Sequence, residues 1–156
     1  MKRPEWWMVA ISLYCMWNAR DLAAAWRDAP YERGAWVCLV IWLSPIIAAF
    51  LTGRATTPKT GFLIGALALA AAGAVTSVNF LSDVAIALAA VAWSPQHGRL
   101  AVWAAASILW MPVSGWLAHG LDPLPLLAAR ITLTAIASAW YAAAVVRPHV
   151  AGRSVS

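Results

Sequence analysis

The sequence predicts an all-α fold, a polytopic bundle of transmembrane helices. Of its 156 residues, 63% are hydrophobic, and the mean hydropathy is +0.73. Only 11% are charged, whereas about a quarter of the residues are charged in soluble domains. A water-soluble domain of this length would need far more polar surface to cover its core. The composition therefore excludes a disordered chain, a secreted disulfide scaffold and an ordinary soluble enzyme, and it favours one integral-membrane domain over residues 1–156.

Six apolar segments approach the length of about 20 residues that a helix needs to cross the hydrocarbon core. They are residues 4–19, 35–52, 61–79, 81–95, 100–117 and 124–146. The first follows a basic head typical of signal peptides, but no small-residue cleavage site comes after it, so we predict a retained helix. The third and fourth segments could instead form a re-entrant hairpin, because the fourth is short.

The basic residues support six spans with both termini in the cytoplasm. In that orientation the cytoplasmic segments hold seven basic residues and one acid. The other five acids and the remaining four arginines lie in the outer segments or near the outer face. Cytoplasmic loops of membrane proteins collect Lys and Arg in this way. We therefore predict that the chain lies in the lipid bilayer of a bacterial inner membrane. The formal charge of +5 then calls for no nucleic-acid partner.

The polar segment 20–34 is predicted to lie on the outer surface, between the first two spans. Its three acids alternate with three arginines, and Leu22 and Trp26 are four residues apart, as on one face of a helix. Pro30 ends that helix. We expect an interfacial half-helix followed by a turn, which serves either as a solvated cap or as a surface for substrate or partner peptides.

Arg130 is the most conspicuous charge inside a predicted span. It lies about 8 Å into the sixth segment by helical rise. It can extend to the outer surface, or it can pair with Asp83, Asp122 or a substrate carboxylate. Our hypothesis is that six polar residues near the outer face converge in the bundle. They are Asp28, Tyr31, Arg33, Asp83, Asp122 and Arg130.

Small residues and tryptophans are the candidates for helix packing. Gly61 and Gly65 have GxxxG spacing, and Gly73 follows in the same segment, where small residues let helices approach closely. Most of the eleven tryptophans are predicted to form interfacial belts, with Trp103 at the inner one. Three lie deeper and are predicted to pack in the bundle: Trp42, Trp110 and Trp140.

The usual catalytic and cofactor motifs are missing from the sequence. No HExxH, GxSxG, P-loop or dinucleotide-binding glycine pattern occurs. Cys15 and Cys38 lie in apolar stretches without CxxC or Cys/His spacing, which is typical of buried free thiols. We therefore predict no catalytic residue, no metal site and no cofactor.

Three stretches resemble the exosortase/archaeosortase family. They are residues 26–34 (WRDAPYERG) leading into the second span, residues 108–112 (ILWMP), and residues 121–124 (LDPL) with residues 128–130 (AAR). Their order and spacing agree over roughly residues 20–146. The resemblance implies a polytopic membrane fold and transpeptidases that cut C-terminal sorting signals with a Cys, an Arg and a His. Glu32 and Arg33 replace the family's usual Ser-His pair, and its catalytic region has no counterpart here.

Three functions follow from these observations. The first is a non-catalytic membrane subunit or scaffold of exosortase-like fold that docks another integral membrane protein, which the small-residue faces favour. The second is the front half of a split sorting transpeptidase whose catalytic helices belong to another chain. The third is a small transporter or channel, for which few polar lining residues are available and no internal repeat is visible. We take the first as the prediction and the second as its main alternative.

Overall fold

The computed structural model describes residues 5–53, 57–95, 98–118 and 120–146. Within these ranges every regular element is helical, so the prediction of an all-α fold is confirmed. The helices are α1 (Trp6–Asn18), α2 (Asp21–Asp28), α3 (Trp36–Leu51), α4 (Thr60–Thr76), α5 (Asn79–Ala92), α6 (Leu100–Ala105), a 3-10 helix (Ala106–Leu109), α7 (Pro112–Leu117) and α8 (Pro123–Val146). Five of the seven basic residues predicted to be cytoplasmic lie outside the described residues: Lys2, Arg3, Arg54, Arg147 and Arg153.

Only α8 among the described helices is long and apolar enough to cross a membrane by itself. Its 24 residues extend about 36 Å by helical rise. The helices α3, α4 and α5 are apolar but have 16, 17 and 14 residues. The prediction of six spans is therefore not supported.

The predicted span 100–117 is broken into three short pieces. The chain changes from α6 to the 3-10 helix at Ala106 and leaves helical geometry at Met111, whose φ and ψ are −77° and 144°. Proline at position 112 explains the break, because it has no N–H to continue the preceding helix and disfavours helical geometry in the residue before it. Pro112 then begins α7, where the first helical position tolerates proline.

Helix α5 is the centre of the bundle and separates two cores. On one side it packs against α4 and α1. This side, the alanine half, is built mainly from small side chains: Ala66, Ala70, Ala85, Ala89 and Ala92, with Cys15 and Leu63. Because alanine has no extended side chain, the helix backbones lie close together here.

The other side, the aromatic half, is built around α3 and α8 and contains four large buried rings. Trp42 and Trp103 stack with ring centroids 4.4 Å apart, and Tyr141 stacks on Trp103 at 4.8 Å. Trp110 tilts against Trp42 at 5.7 Å. The indole N–H of Trp42 donates to the carbonyl of Trp103 at 2.7 Å, and the N–H of Trp103 donates back to the carbonyl of Trp42 at 2.9 Å.

Two of the tryptophan predictions were wrong. Trp103 is fully buried in the aromatic half, because its N–H finds a carbonyl partner there and needs no interfacial water. Trp140 is 42% exposed and lies under the guanidinium of Arg99, with the Cζ atom 4.6 Å from the ring centroid. Trp42 and Trp110 are fully buried.

The three candidate packing glycines have different surroundings. A Cβ on Gly73 would lie 2.6 Å from Ser82 Oγ and 3.1 Å from Ser82 N, so only glycine allows α4 and α5 to approach there. A Cβ on Gly65 would lie 3.0 Å from Leu88 Cδ2, the flexible end of a side chain. Around Gly61 there is open space within 4 Å.

Candidate functional site

The guanidinium of Arg130 lies at the centre of a buried polar network. The residue is only 2% exposed. Its Nε donates to the carbonyl of Leu109 at 2.6 Å and its Nη1 to the carbonyl of Tyr31 at 3.1 Å. Its Nη2 donates to Glu32 Oε2 at 2.9 Å and to the carbonyl of Met111 at 3.5 Å. The planar guanidinium fork thus connects α8 to two irregular segments of backbone.

The carbonyl acceptors exist because the helix breaks before Pro112. A continuous α-helix would use the Leu109 carbonyl for the N–H four residues later, but the extended Met111 prevents this bond. Arg130 Nε takes that place. In the same segment the indole N–H of Trp26 donates to the carbonyl of Trp110 at 3.2 Å. The hydroxyl of Ser114 donates to the carbonyl of Met111 at 2.8 Å. Three side chains therefore satisfy the backbone that the break leaves free, as buried carbonyls require.

Glu32 is the charge partner of Arg130 and is 4% exposed. It lies in the turn between α2 and α3, and it packs against Gly115 of α7. A Cβ on Gly115 would lie 1.8 Å from Glu32 Oε1, so a larger residue there would displace the carboxylate. The Gly115 amide lies beside Oε1, but this oxygen makes no hydrogen bond of ordinary geometry among the described residues. Burial raises the pKa of Glu32, and the neighbouring Arg130 opposes that shift.

The structure separates the six residues of the predicted outer-face set. Arg130 takes the carbonyl of Tyr31 as an acceptor, so these two residues meet, and Arg130 is buried rather than extended to the surface. Asp28 is exposed and accepts from Nε of Arg27 at 3.0 Å, and Arg27 thereby lowers the pKa of Asp28.

The other three residues of the set lie away from Arg130. Arg33 and Asp122 are exposed, and Asp83 lies in a separate cavity.

Sequence reasoning assigned Arg130 the wrong acidic partners. The alternative in which Arg130 pairs with an acid of the chain named Asp83 or Asp122, whereas Glu32 forms the ion pair from 98 positions away in the chain. A signal was present, because Glu32 precedes the second apolar segment and Arg130 lies near the start of the last one, so both are predicted near the outer face. The three acids of segment 20–34 alternate with arginines, however, and this local pattern indicates surface pairs instead.

Two cavities flank α2. The first, the acidic cavity, has a volume of about 290 Å³ and lies between α1, α2, α5 and α7. Its lining includes Asp21, Asp83, Asn18, Asn79, Phe80 and Trp116. The second, the apolar groove, has a volume of about 350 Å³. It runs between α1, α2 and α3 over a floor of α5, and its lining includes Met16, Ala23, Leu43, Phe50, Ala90 and Trp93.

No protein family, curated protein or solved structure matches this chain. The described residues contain no group of three or more His, Cys, Asp or Glu side chains that could hold a metal ion.

Proposed function

We propose that the chain is an integral membrane protein that serves as a non-catalytic subunit and binds a helix of another membrane protein in the apolar groove. The membrane assignment rests on one observation: apolar side chains are exposed and charged side chains are buried, which is the opposite of the distribution in soluble proteins. Leu51, Val75 and Leu124 are 84%, 86% and 80% exposed, while Glu32 and Arg130 are buried. Water-soluble proteins rarely bury charges and seldom expose large continuous apolar faces.

The shorter helices also fit within a bilayer in this proposal. Helices α3 and α4, with 16 and 17 residues, extend about 24 and 26 Å by helical rise, against a hydrocarbon core of about 30 Å. Membranes adapt to a short segment by local thinning and by flanking residues that reach the interface. We place both termini in the cytoplasm of a bacterial cell, which puts α2 and the acidic cavity at the outer face.

The shape and lining of the apolar groove support a helix as its occupant. Helix α1 packs on α4 and α5 while α3 packs on α8, so α1 and α3 leave the groove open between them. Small residues line it from α2, α5 and the C-terminal cap of α1: Ala19, Ala23, Ala89 and Ala90. Such residues let a neighbouring helix come close, where dispersion forces and close packing stabilise association in lipid.

The test is purification of the full chain at native expression in mild detergent, with every co-purifying chain identified by mass spectrometry. We expect one stoichiometric integral membrane protein. Ala23→Trp fills the groove from the exposed face of α2, so we expect it to remove that partner. Ala24→Trp is the matched control, because Ala24 is an exposed neighbour on the same helix and does not line the groove.

Each outcome separates the possible functions. Loss of the partner with Ala23→Trp but not with Ala24→Trp supports the proposal. Retention of the partner in both variants contradicts docking in the groove, and recovery of the wild-type chain alone contradicts the subunit function. A stoichiometric partner that carries a Cys, an Arg and a His in a membrane domain would favour the split sorting enzyme instead.

A further inference from the structure

The acidic cavity has the chemistry of a ligand site that the proposed subunit function does not use. We propose that it binds a small organic cation, a primary or quaternary ammonium compound with a compact apolar body. Asp83 lies at the buried end of the cavity and Asp21 at its exposed end. Neither Lys nor Arg is among the lining residues.

The unpartnered carboxylate of Asp83 is the observation that points to a ligand. The residue is only 4% exposed, and no described residue donates a hydrogen bond to its side chain. Asp21 is near enough for the two negative charges to repel each other. A buried carboxylate without a partner is costly, so a charge of opposite sign in the cavity would stabilise it. Buried acids of this kind within membrane proteins are candidates for functional sites.

The rest of the lining selects an organic cation over a metal ion. Ca²⁺ and Mg²⁺ require about six or more oxygen ligands in close geometry, and no suitable cluster of acidic or histidine side chains is found in the described residues. Leu22 and Val113 instead offer an apolar wall. Phe80 and Trp116 add aromatic rings, which attract ammonium groups through cation–π contact.

The amide of Asn18 supplies a further acceptor. Asn18 lines the cavity, its Nδ2 donates to the carbonyl of Ala70 at 3.4 Å and so ties the side chain to α4, and the Oδ1 oxygen of the same amide is an acceptor. An ammonium group has donors for such acceptors and no acceptor of its own. A volume of about 290 Å³ matches the lower end of small-molecule sites.

The experiment uses the full chain in a neutral detergent and measures binding by isothermal titration calorimetry. The probes are benzylammonium and tetramethylammonium, with benzyl alcohol as the neutral counterpart of the first. We expect saturable binding of at least one cation, and binding of benzyl alcohol that is about tenfold weaker or absent, since it lacks the charge. No saturable binding of either cation up to about 10 mM would overturn the proposal.

Three variants identify the site. Asp83→Asn keeps the shape of the side chain and should weaken cation binding about tenfold or more, because the neutral amide removes the buried charge. Asp21→Asn should weaken it about threefold, because an exposed charge contributes less. Asp122→Asn changes an exposed acid that does not line the cavity, and should leave the affinity unchanged.

Equal affinity of the wild type, Asp83→Asn and Asp21→Asn would overturn the proposal, because the cation would then bind to micelles or to another surface. Circular dichroism of each variant shows whether it has folded. If Asp83→Asn does not fold, Asp21→Asn decides the question by itself, since Asp21 is exposed and its replacement leaves no buried defect. Benzyl alcohol binding as tightly as benzylammonium would also contradict the role of the carboxylates.

Discussion

In the aromatic half the core consists of stacked rings and polar groups bonded to backbone, whereas in the alanine half it consists of small side chains between closely spaced helices. The aromatic half contains the broken segment between α6 and α7, and its free carbonyls are met by the side chains of Arg130 and Trp26. The alanine half contains α4 and α5, joined by a tight turn at Ser77. Irregular backbone therefore needs specific polar partners, while regular helices need only a close fit.

This comparison predicts that the two halves fail in different ways. Stability of the aromatic half should depend on individual large or charged side chains. Stability of the alanine half should depend on the atoms that a substitution adds between its closely spaced helices, rather than on the atoms that it removes. The free energy of unfolding in mixed micelles, followed by circular dichroism, measures the stability of each variant.

Arg130→Leu should have the largest effect. It leaves Glu32 buried without its charge partner and removes the donor to the Leu109 carbonyl, so we expect a loss of about 3–5 kcal/mol. The double variant Arg130→Met with Glu32→Leu removes both charges and should recover part of this loss. A double variant as unstable as Arg130→Leu would show that the backbone contacts of Arg130, and not its pairing with Glu32, hold the segment.

Trp42→Ala should cost about 3 kcal/mol, because it opens a cavity in the stack and removes the indole donor to the Trp103 carbonyl, while the backbone carbonyl at position 42 that accepts from Trp103 stays. Trp36→Ala is the control on the same helix, since Trp36 is 53% exposed. The comparison of the two halves predicts a small change for the control. A similar loss for both variants would mean that any tryptophan of α3 contributes equally, and that the stack is not special.

Gly73→Ala should cost about 1–3 kcal/mol by the opposite mechanism. The added methyl group would lie 2.6 Å from Ser82 Oγ and 3.1 Å from the Ser82 backbone nitrogen. The hydroxyl can rotate away, but the backbone nitrogen cannot, so α4 and α5 must move apart. Unchanged stability of Gly73→Ala would contradict the close approach on which our account of the alanine half rests.

The regular helices were more accessible from the sequence than the site was. The apolar segments at 35–52, 61–79 and 124–146 are close to α3, α4 and α8, because a run of apolar residues and its polar ends are local properties of the chain. The pairing of Arg130 with Glu32 depends on how three distant segments pack, so no local pattern determined it. The break before Pro112 could have been expected from proline chemistry, but the length of the apolar segment 100–117 led us to treat it as one span.

Gly61→Ala should have the smallest effect on stability, although Gly61 lies in the same helix as Gly73. Open space surrounds Gly61, so the added methyl group meets nothing within 4 Å. Alanine also favours the helix over glycine, because it loses less backbone freedom on folding, so we expect a gain of less than about 1 kcal/mol. Gly61→Ala and Gly73→Ala make the same chemical change in α4, and opposite signs would show that contact with α5 decides the outcome. Destabilisation by Gly61→Ala of the size expected for Gly73→Ala would instead show that the added methyl group disturbs α4 itself, so that contact with α5 does not decide the outcome.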